Sequence, residues 1–382
     1  MYTGVFDYAT LLIYLIIGIL GASLIGQGIK YSNGNELIKT NFNLYYKLFI
    51  VLFVIFATIR KVDTFIGGQD ALSYVNDFLS ANNTSVLSIE LDSEFVFYLF
   101  EKIIRLFTDN YKIYFFICYF IIALSYVVFI KTFAKSNEYL IAPFILLIFL
   151  YLKSFCTLRS SLAVAIFMFG LSIFQKNKKT GVIFILSTFF IHRMSILYIL
   201  FLFFYLLLGT KVKKISGIKL GMFTLVLLVV AYLGAISLRD QVIAMGLLDG
   251  TDAWYIKQSA GSSILSRWPM YFSHILLIIA MMFSGTKIGH SKEILFLKVL
   301  CIFDIIVMPA SVVVGFWRAN EFLYVARLMM WGHVIYVNTI GMSRKIKLVF
   351  NLMVAGLFVA WLVFRIYSEW DDLKIMPYVI GY

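Results

Sequence analysis

Apolar runs long enough to cross a bilayer recur along this chain from residue 8 to residue 367, with short polar gaps between most of them. A hydrocarbon core of roughly 30 Å takes about twenty apolar residues of helix to cross. That ruler predicts about twelve crossings, near residues 8–29, 43–59, 111–131, 139–155, 157–174, 180–191, 194–210, 219–238, 268–285, 293–315, 321–342 and 347–367. The chain is 62% hydrophobic and 14% charged, with a mean hydropathy of +0.92, which excludes a soluble globule. The expected fold is all-α: a polytopic membrane protein forming a single transmembrane domain over residues 1–382. The first apolar stretch has no basic leader and no small-residue cleavage site, so it reads as a retained helix.

The two kinds of cation separate along this pattern. Sixteen of the 23 lysines fall in or beside alternate loops: Lys30/Lys39/Lys47, Lys131/Lys135, Lys176/Lys178/Lys179, Lys211/Lys213/Lys214/Lys219, Lys287/Lys292 and Lys345/Lys347. The positive-inside bias makes those loops cytoplasmic and puts both termini outside. Nine of the ten arginines lie elsewhere, toward the opposite face, and the bias does not explain them. A planar, permanently charged guanidinium suits paired hydrogen bonding to a phosphate or carboxylate. The net charge of +13 sits largely beside anionic lipid head groups, which argues against nucleic acid as a partner. Cys118, Cys156 and Cys301 stand singly in apolar runs without metal-ligand spacing, so they read as packing residues and no metal is expected.

Two outer loops are long, at about 60–110 and 239–267. Within the first, residues 94–107 have helical periodicity, with Phe95, Leu99, Ile103 and Phe107 on one side and Glu94, Tyr98, Glu101 and Arg105 on the other. An amphipathic helix in the interface plane is expected, carrying a Glu101–Arg105 pair of the i,i+4 type. Residues 180–209 have lysine clusters at both ends and must go out and come back. The outward limb reaches His192 in about twelve residues, roughly 18 Å of helix. That predicts a hairpin whose apex, His192-Arg193, stops below the outer surface, where lipid penalises charge unless a wet cavity receives it.

Several side chains are candidates for chemistry. Arg159 opens a crossing, as a ligand for an anion or as a snorkelling anchor. Arg327 lies inside its helix with Asn320, Tyr324 and Trp331 on the same face, and Asp304, near the middle of the preceding crossing, is a potential structural partner for it. Arg267 and Arg318 precede helices beside tryptophan, as binding groups or interfacial anchors. Arg60 is followed by Gly67-Gly68-Gln69-Asp70 and Tyr74, where glycine permits positive φ and close approach to a ligand. An imidazole with a reference pKa near ~6.5 makes His192 the first choice for a general base, with Asp70 as the alternative. His274, His290 and His333 read as structural or solvent-exposed. Trp254, Tyr255 and Tyr74 offer aromatic faces for sugars. No HExxH, P-loop, dinucleotide or nucleophile-elbow motif is present, and Asp249-Gly250-Thr251-Asp252 and Asp371-Asp372 lack a convincing cation ligand set.

Arg60, Gly68-Gln69-Asp70 with Tyr74, Glu94, Leu158-Arg159-Ser160-Ser161-Leu162-Ala163 and Ile191-His192-Arg193-Met194-Ser195 occur in that order and sidedness over residues 44–210. This series resembles the EpsG-like branch of Wzy-type bacterial polysaccharide polymerases. The chain departs from the family where Ser160 replaces a frequent glutamine and where His192-Arg193-Met194-Ser195 replaces histidine-x-serine. The resemblance implies a multi-spanning glycosyltransferase of the GT-C type that uses lipid phosphosugars. It would join oligosaccharide repeat units carried on undecaprenyl pyrophosphate at the outer face of the bacterial cytoplasmic membrane, alongside a chain-length regulator or other assembly proteins. His192, Asp70 and Arg159 are the expected catalytic residues. Arg60, Gly68, Tyr74, Glu94, Arg193, Arg267, Arg318, Tyr324 and Arg327 are the expected substrate-binding residues, with no cofactor. A flippase of lipid-linked sugar is the competing class, and a glycan ligase or membrane acyltransferase the third.

Overall fold

The computed structural model describes residues 6–34, 43–81, 94–134, 139–192, 195–212, 217–244, 268–284, 291–313 and 322–381. Among these every regular element is helical, apart from one isolated antiparallel bridge between Arg60 and Ile380. A chain so apolar must satisfy its backbone groups internally where water is absent, and the α-helix does this within a single segment. The described residues form two compact units, Met1–Ile199 with Gly341–Tyr382, and Leu200–Ile340.

The first unit holds α1 (Tyr8–Gly34), α2 (Leu44–Thr58), α3 (Ala71–Ser80), α4 (Phe95–Arg105), α5 (Tyr111–Phe133), α6 (Leu147–Ser154, led in by a 3-10 turn at Ala142–Leu146), α7 (Leu158–Phe174), α8 (Lys178–Ser187, extended by a 3-10 turn at Thr188–Phe190) and α14 (Arg344–Leu373); α9 (Ile196–Val212) begins at its edge. The second unit holds α10 (Gly217–Ala244), α11 (Trp268–Ser284), α12 (Lys292–Val313) and α13 (Tyr324–Thr339). A helix lies at each of the twelve expected crossings. Tyr8–Ser32, Tyr111–Phe133 and Arg344–Leu373 are long and apolar enough to span a membrane, while several others are shorter apolar helices.

Asn43, Asn110 and Asn177 start α2, α5 and α8 by accepting backbone N–H groups from Tyr46, Lys112 and Thr180. The core of the first unit is aromatic: Phe49, Phe53, Tyr114, Tyr119, Tyr126 and Tyr151 are almost wholly buried. Among the described residues the three cysteines are buried and in no disulfide, and Cys156 Sγ donates to the Leu373 carbonyl at 3.0 Å.

Arg60 fastens this unit. It is 2% exposed, and its guanidinium donates to the Gly67 carbonyl at 2.8 Å, to the Ala57 carbonyl and to Tyr119 Oη at 3.0 Å, while lying 4.0 Å from the Phe155 ring centroid. Carbonyls and ring faces hold the charge. The residues after α14 fold back onto the same region. Tyr14 Oη donates to the Ile375 carbonyl, Tyr378 N to Thr10 Oγ1 at 2.8 Å, and Lys61 N to the Val379 carbonyl at 2.6 Å. Lys112 Nζ reaches the Gly381 carbonyl. The start of α1, the end of α2, the start of α5 and the tail after α14 therefore meet at one end of the unit. The lysine alternation assigns these ends to one side.

Candidate functional site

The site grows from a hairpin of unequal helices. Arg159 stands in the first turn of α7, the chain turns at 175–177, and α8 packs back along α7. Gly181 makes that approach possible, since a Cβ there would lie 2.5 Å from Phe174 Cα. The return limb ends in the Thr188–Phe190 turn, where the backbone N–H groups of Ile191 and His192 both donate to the Thr188 carbonyl at 3.0 Å. His192 thus comes back to the end of the bundle from which Arg159 departs.

Glu94, at the N-terminal boundary of α4, closes the gap between them. Its Oε2 takes the Arg159 Nη1 hydrogen bond, and its Oε1 lies 3.0 Å from His192 Nδ1. Arg159 Nη1 also donates to Tyr98 Oη at 3.1 Å, and its guanidinium packs 5.3 Å from the Phe97 ring centroid and 5.7 Å from that of Tyr98. Among the described residues only Nη1 of Arg159 has a hydrogen-bond partner, which leaves the Nε and Nη2 hydrogens for an anion. His192 is buried, and among the described residues its Nε2 has no hydrogen-bond partner. Ser195 Oγ, fully buried, is likewise without a partner, and Ser195 N donates to the His192 carbonyl at 2.9 Å. An orphaned buried polar atom costs about 1–3 kcal/mol, so His192 Nε2, on a ring that shares Glu94 with a cation, marks a place where an incoming polar ligand is favoured.

The amphipathic helix exists, but its orientation corrects the expectation. Phe97, Glu101 and Ile104 are its buried residues, while Ile103, Leu106 and Phe107 are exposed. Glu101 does not pair with Arg105. It accepts a hydrogen bond from Tyr114 Oη at 2.7 Å, and Arg105 instead pairs with Asp109 and lies over the Phe78 ring. Burial pushes the Glu101 carboxyl up to about 8, against the Tyr114 hydrogen bond; the Asp77 charge adds to the rise and the Arg159 charge opposes it. Glu101 therefore largely keeps its proton at neutral pH. Periodicity showed that the helix has a face but not which neighbour covers it, and that is why Glu101 reads as a surface group in the sequence.

The remaining expected residues separate. Tyr74, on the buried side of α3, packs edge-on to Phe97 with centroids 6.4 Å apart and borders Arg159 electrostatically. Asp70 caps the start of α3 without a side-chain cap bond. Gly68 has φ +120°, as expected, but the close approach it allows is to the chain itself, because a Cβ there would lie 2.3 Å from the Phe155 carbonyl oxygen. Gly68 N and Gln69 N donate to the carbonyls of Lys374 and Leu373 at 3.2 and 3.0 Å. Gly68 and Arg60 are thus both engaged by the chain's own backbone. Arg193, Arg267, Arg318, Asn320, His290, Trp254 and Tyr255 lie outside the described residues, as does 249–252.

In the second unit Arg327 Nε lies 2.8 Å from Asp304 Oδ2, the pairing foreseen for these residues. His274 Nε2 lies 3.0 Å from the same oxygen, and His274 and Asp304 are sealed from solvent. Tyr324 packs its ring 5.1 Å from the Arg327 guanidinium carbon. His333 is also buried. Among the described residues no group of three or more His, Cys, Asp and Glu is arranged to hold a metal ion.

These features define a helical membrane protein with a carboxylate-bridged arginine and histidine at the junction of an amphipathic helix and two bundle helices. Residues 42–380 match the EpsG family, and the chain belongs to it. Membership joins the membrane helices to polysaccharide biosynthesis. No curated protein and no solved structure matches the chain.

Proposed function

We propose that this protein is a polysaccharide polymerase that joins undecaprenyl-pyrophosphate-linked oligosaccharide repeat units at the outer face of the bacterial cytoplasmic membrane. One observation carries the reading: a cation with unused hydrogen-bond donors and a buried imidazole nitrogen with no partner share a single carboxylate. In the reaction, a hydroxyl of one lipid-linked unit attacks the anomeric carbon of the growing glycan while that carbon's bond to the pyrophosphate oxygen breaks. Charge accumulates on the departing diphosphate, and Arg159 stabilises it through Nε and Nη2 in a site of low dielectric. His192 Nε2 takes the hydroxyl proton. Tyr74 and Tyr98 offer ring faces to sugars, and Asp70 stays the alternative base. Arg193, next to His192 in the sequence, is a further cation proposed for the leaving diphosphate. Twelve crossings with both termini outside suit this role, because they put the lysine loops in the cytoplasm.

Transport of the lipid-linked glycan is the second reading. It is favoured by the Asp304 cluster, whose Oδ1 is buried without a hydrogen-bond partner among apolar helices, since intramembrane carboxylates often mark proton or substrate paths. The test is to incubate the purified protein in lipid with undecaprenyl-pyrophosphate-linked units. The polymerase reading expects a ladder of glycan lengths, reduced about tenfold or more in Arg159→Lys because lysine cannot present a paired donor edge. Movement of units across the bilayer without chain growth would establish the transporter.

A further inference from the structure

We propose that Glu94, expected from the sequence to bind substrate, is instead a positioning residue that fixes the His192 tautomer and supports its positive charge after it takes a proton. This deepens the polymerase reading and rests on it. A carboxylate only accepts hydrogen bonds, so the 3.0 Å contact of Glu94 Oε1 with His192 Nδ1 requires the proton to sit on Nδ1. The neutral ring then carries its lone pair on Nε2, the nitrogen that is buried and has no hydrogen-bond partner. With the proton on the opposite nitrogen, Nδ1 and the carboxylate would meet lone pair to lone pair. The unpartnered atom is therefore the basic one.

Glu94's second oxygen holds Arg159, so one carboxylate fixes both the base and the cation proposed to meet the leaving group. When the acceptor O–H proton passes to Nε2, the acceptor oxygen bonds to the anomeric carbon and the electron pair of the broken C–O bond leaves on the diphosphate. The imidazolium formed then has both nitrogens protonated, with Nδ1–H on Glu94 offsetting its charge. Arg159 from α7 shares the carboxylate, and Tyr74 and Asp77 from α3 and Tyr98 and Glu101 from α4 interact electrostatically with Arg159. Arg159 already draws on the same carboxylate, so His192 receives only part of its field.

The chain has four histidines, so ¹⁵N-histidine NMR of the full-length protein in detergent can follow each ring, with His192→Gln assigning the signal. The expected wild-type spectrum shows His192 neutral with a protonated Nδ1 and a bare Nε2. Glu94→Ala should mix the two tautomers, because no carboxylate then selects the proton on Nδ1. In Glu94→Ala the turnover number should fall about tenfold or more, with KM for the lipid-linked unit little changed. Glu94→Asp should recover part of the rate. Thermal unfolding and gel filtration of each variant identify any that simply misfold. An unchanged tautomer in Glu94→Ala, or a loss confined to KM, would overturn the assignment. The expected tautomer in a wild-type protein that makes no glycan ladder would uphold the Glu94–His192 pairing and reject the polymerase reading.

Discussion

The two units contain the same three groups in different settings. Glu94 lies between Arg159 and His192, and Asp304 between Arg327 and His274. In the first cluster each partner has its own carboxylate oxygen, every member stands at or near a helix end, and the side chains of Glu94 and Arg159 are 16% and 24% exposed. In the second, both partners share Oδ2, and Asp304 is in the body of α12 with a side chain 1% exposed. The histidines also engage opposite nitrogens: Nδ1 on Glu94 and Nε2 on Asp304. Position on the helix therefore separates two uses of one triad. At helix ends the triad is partly exposed and leaves donors and a lone pair, whereas Asp304 is buried, holds both partners on Oδ2 and leaves only Oδ1 over.

If the contrast is right, substitutions in the two clusters fail differently. His192→Ala should slow glycan chain growth by roughly 10²–10⁴-fold, the usual worth of a general base, with the thermal unfolding midpoint almost unmoved. Asp304→Ala should act on folding, since stripping a buried cation of its partner costs about 3–5 kcal/mol, read as a lower unfolding midpoint in detergent. A destabilised His192→Ala, or a stable but inactive Asp304→Ala, would break the contrast.

Two smaller effects sharpen it. Gly68→Ala should destabilise the first unit by about 1–3 kcal/mol, because its φ of +120° is strained for any other residue and the Phe155 carbonyl occupies the Cβ position. Between pH 7 and 8 Glu101 should give the smallest effect, as a slope in stability against pH. Its carboxyl is raised from 4.5 to about 8 in the fold, so between those values the native state holds a proton that the unfolded chain has lost. Stability should therefore fall as pH rises through that window and level off above it, by about 1 kcal/mol between pH 7 and 8. Glu101→Gln should flatten the slope in equilibrium unfolding measured across that range.

Much of this was legible in the residues, and the exceptions share a cause. Helices stand at all twelve expected positions because a long apolar run dictates a helix whatever surrounds it. Helix α3 went unforeseen inside a long loop, although Ala71, Tyr74, Val75 and Phe78 show the spacing of one buried face. Arg159, His192 and Glu94 were each marked by charge or motif, yet their meeting joins positions 65 and 98 residues apart, which no local pattern encodes. Arg60 looked like a ligand-binding arginine because its partners are backbone carbonyls and a tyrosine, invisible as charge complements. The fold-back of residues 374–381 left no mark in hydropathy, since its main-chain groups bond to the side chains of Tyr14, Thr10 and Lys112 and to the backbone of Ile59 and Lys61, while Tyr378 stacks on Phe56.

The central claim, that the Glu94-bridged arginine and histidine form the reactive site, is tested most directly by cryo-electron microscopy of the protein with undecaprenyl pyrophosphate bound. The account predicts diphosphate density within about 3 Å of Arg159 Nε or Nη2, with His192 Nε2 facing the adjoining space. Diphosphate bound at Arg327 in place of Asp304, with Arg159 still held only by Glu94 and Tyr98, would contradict it.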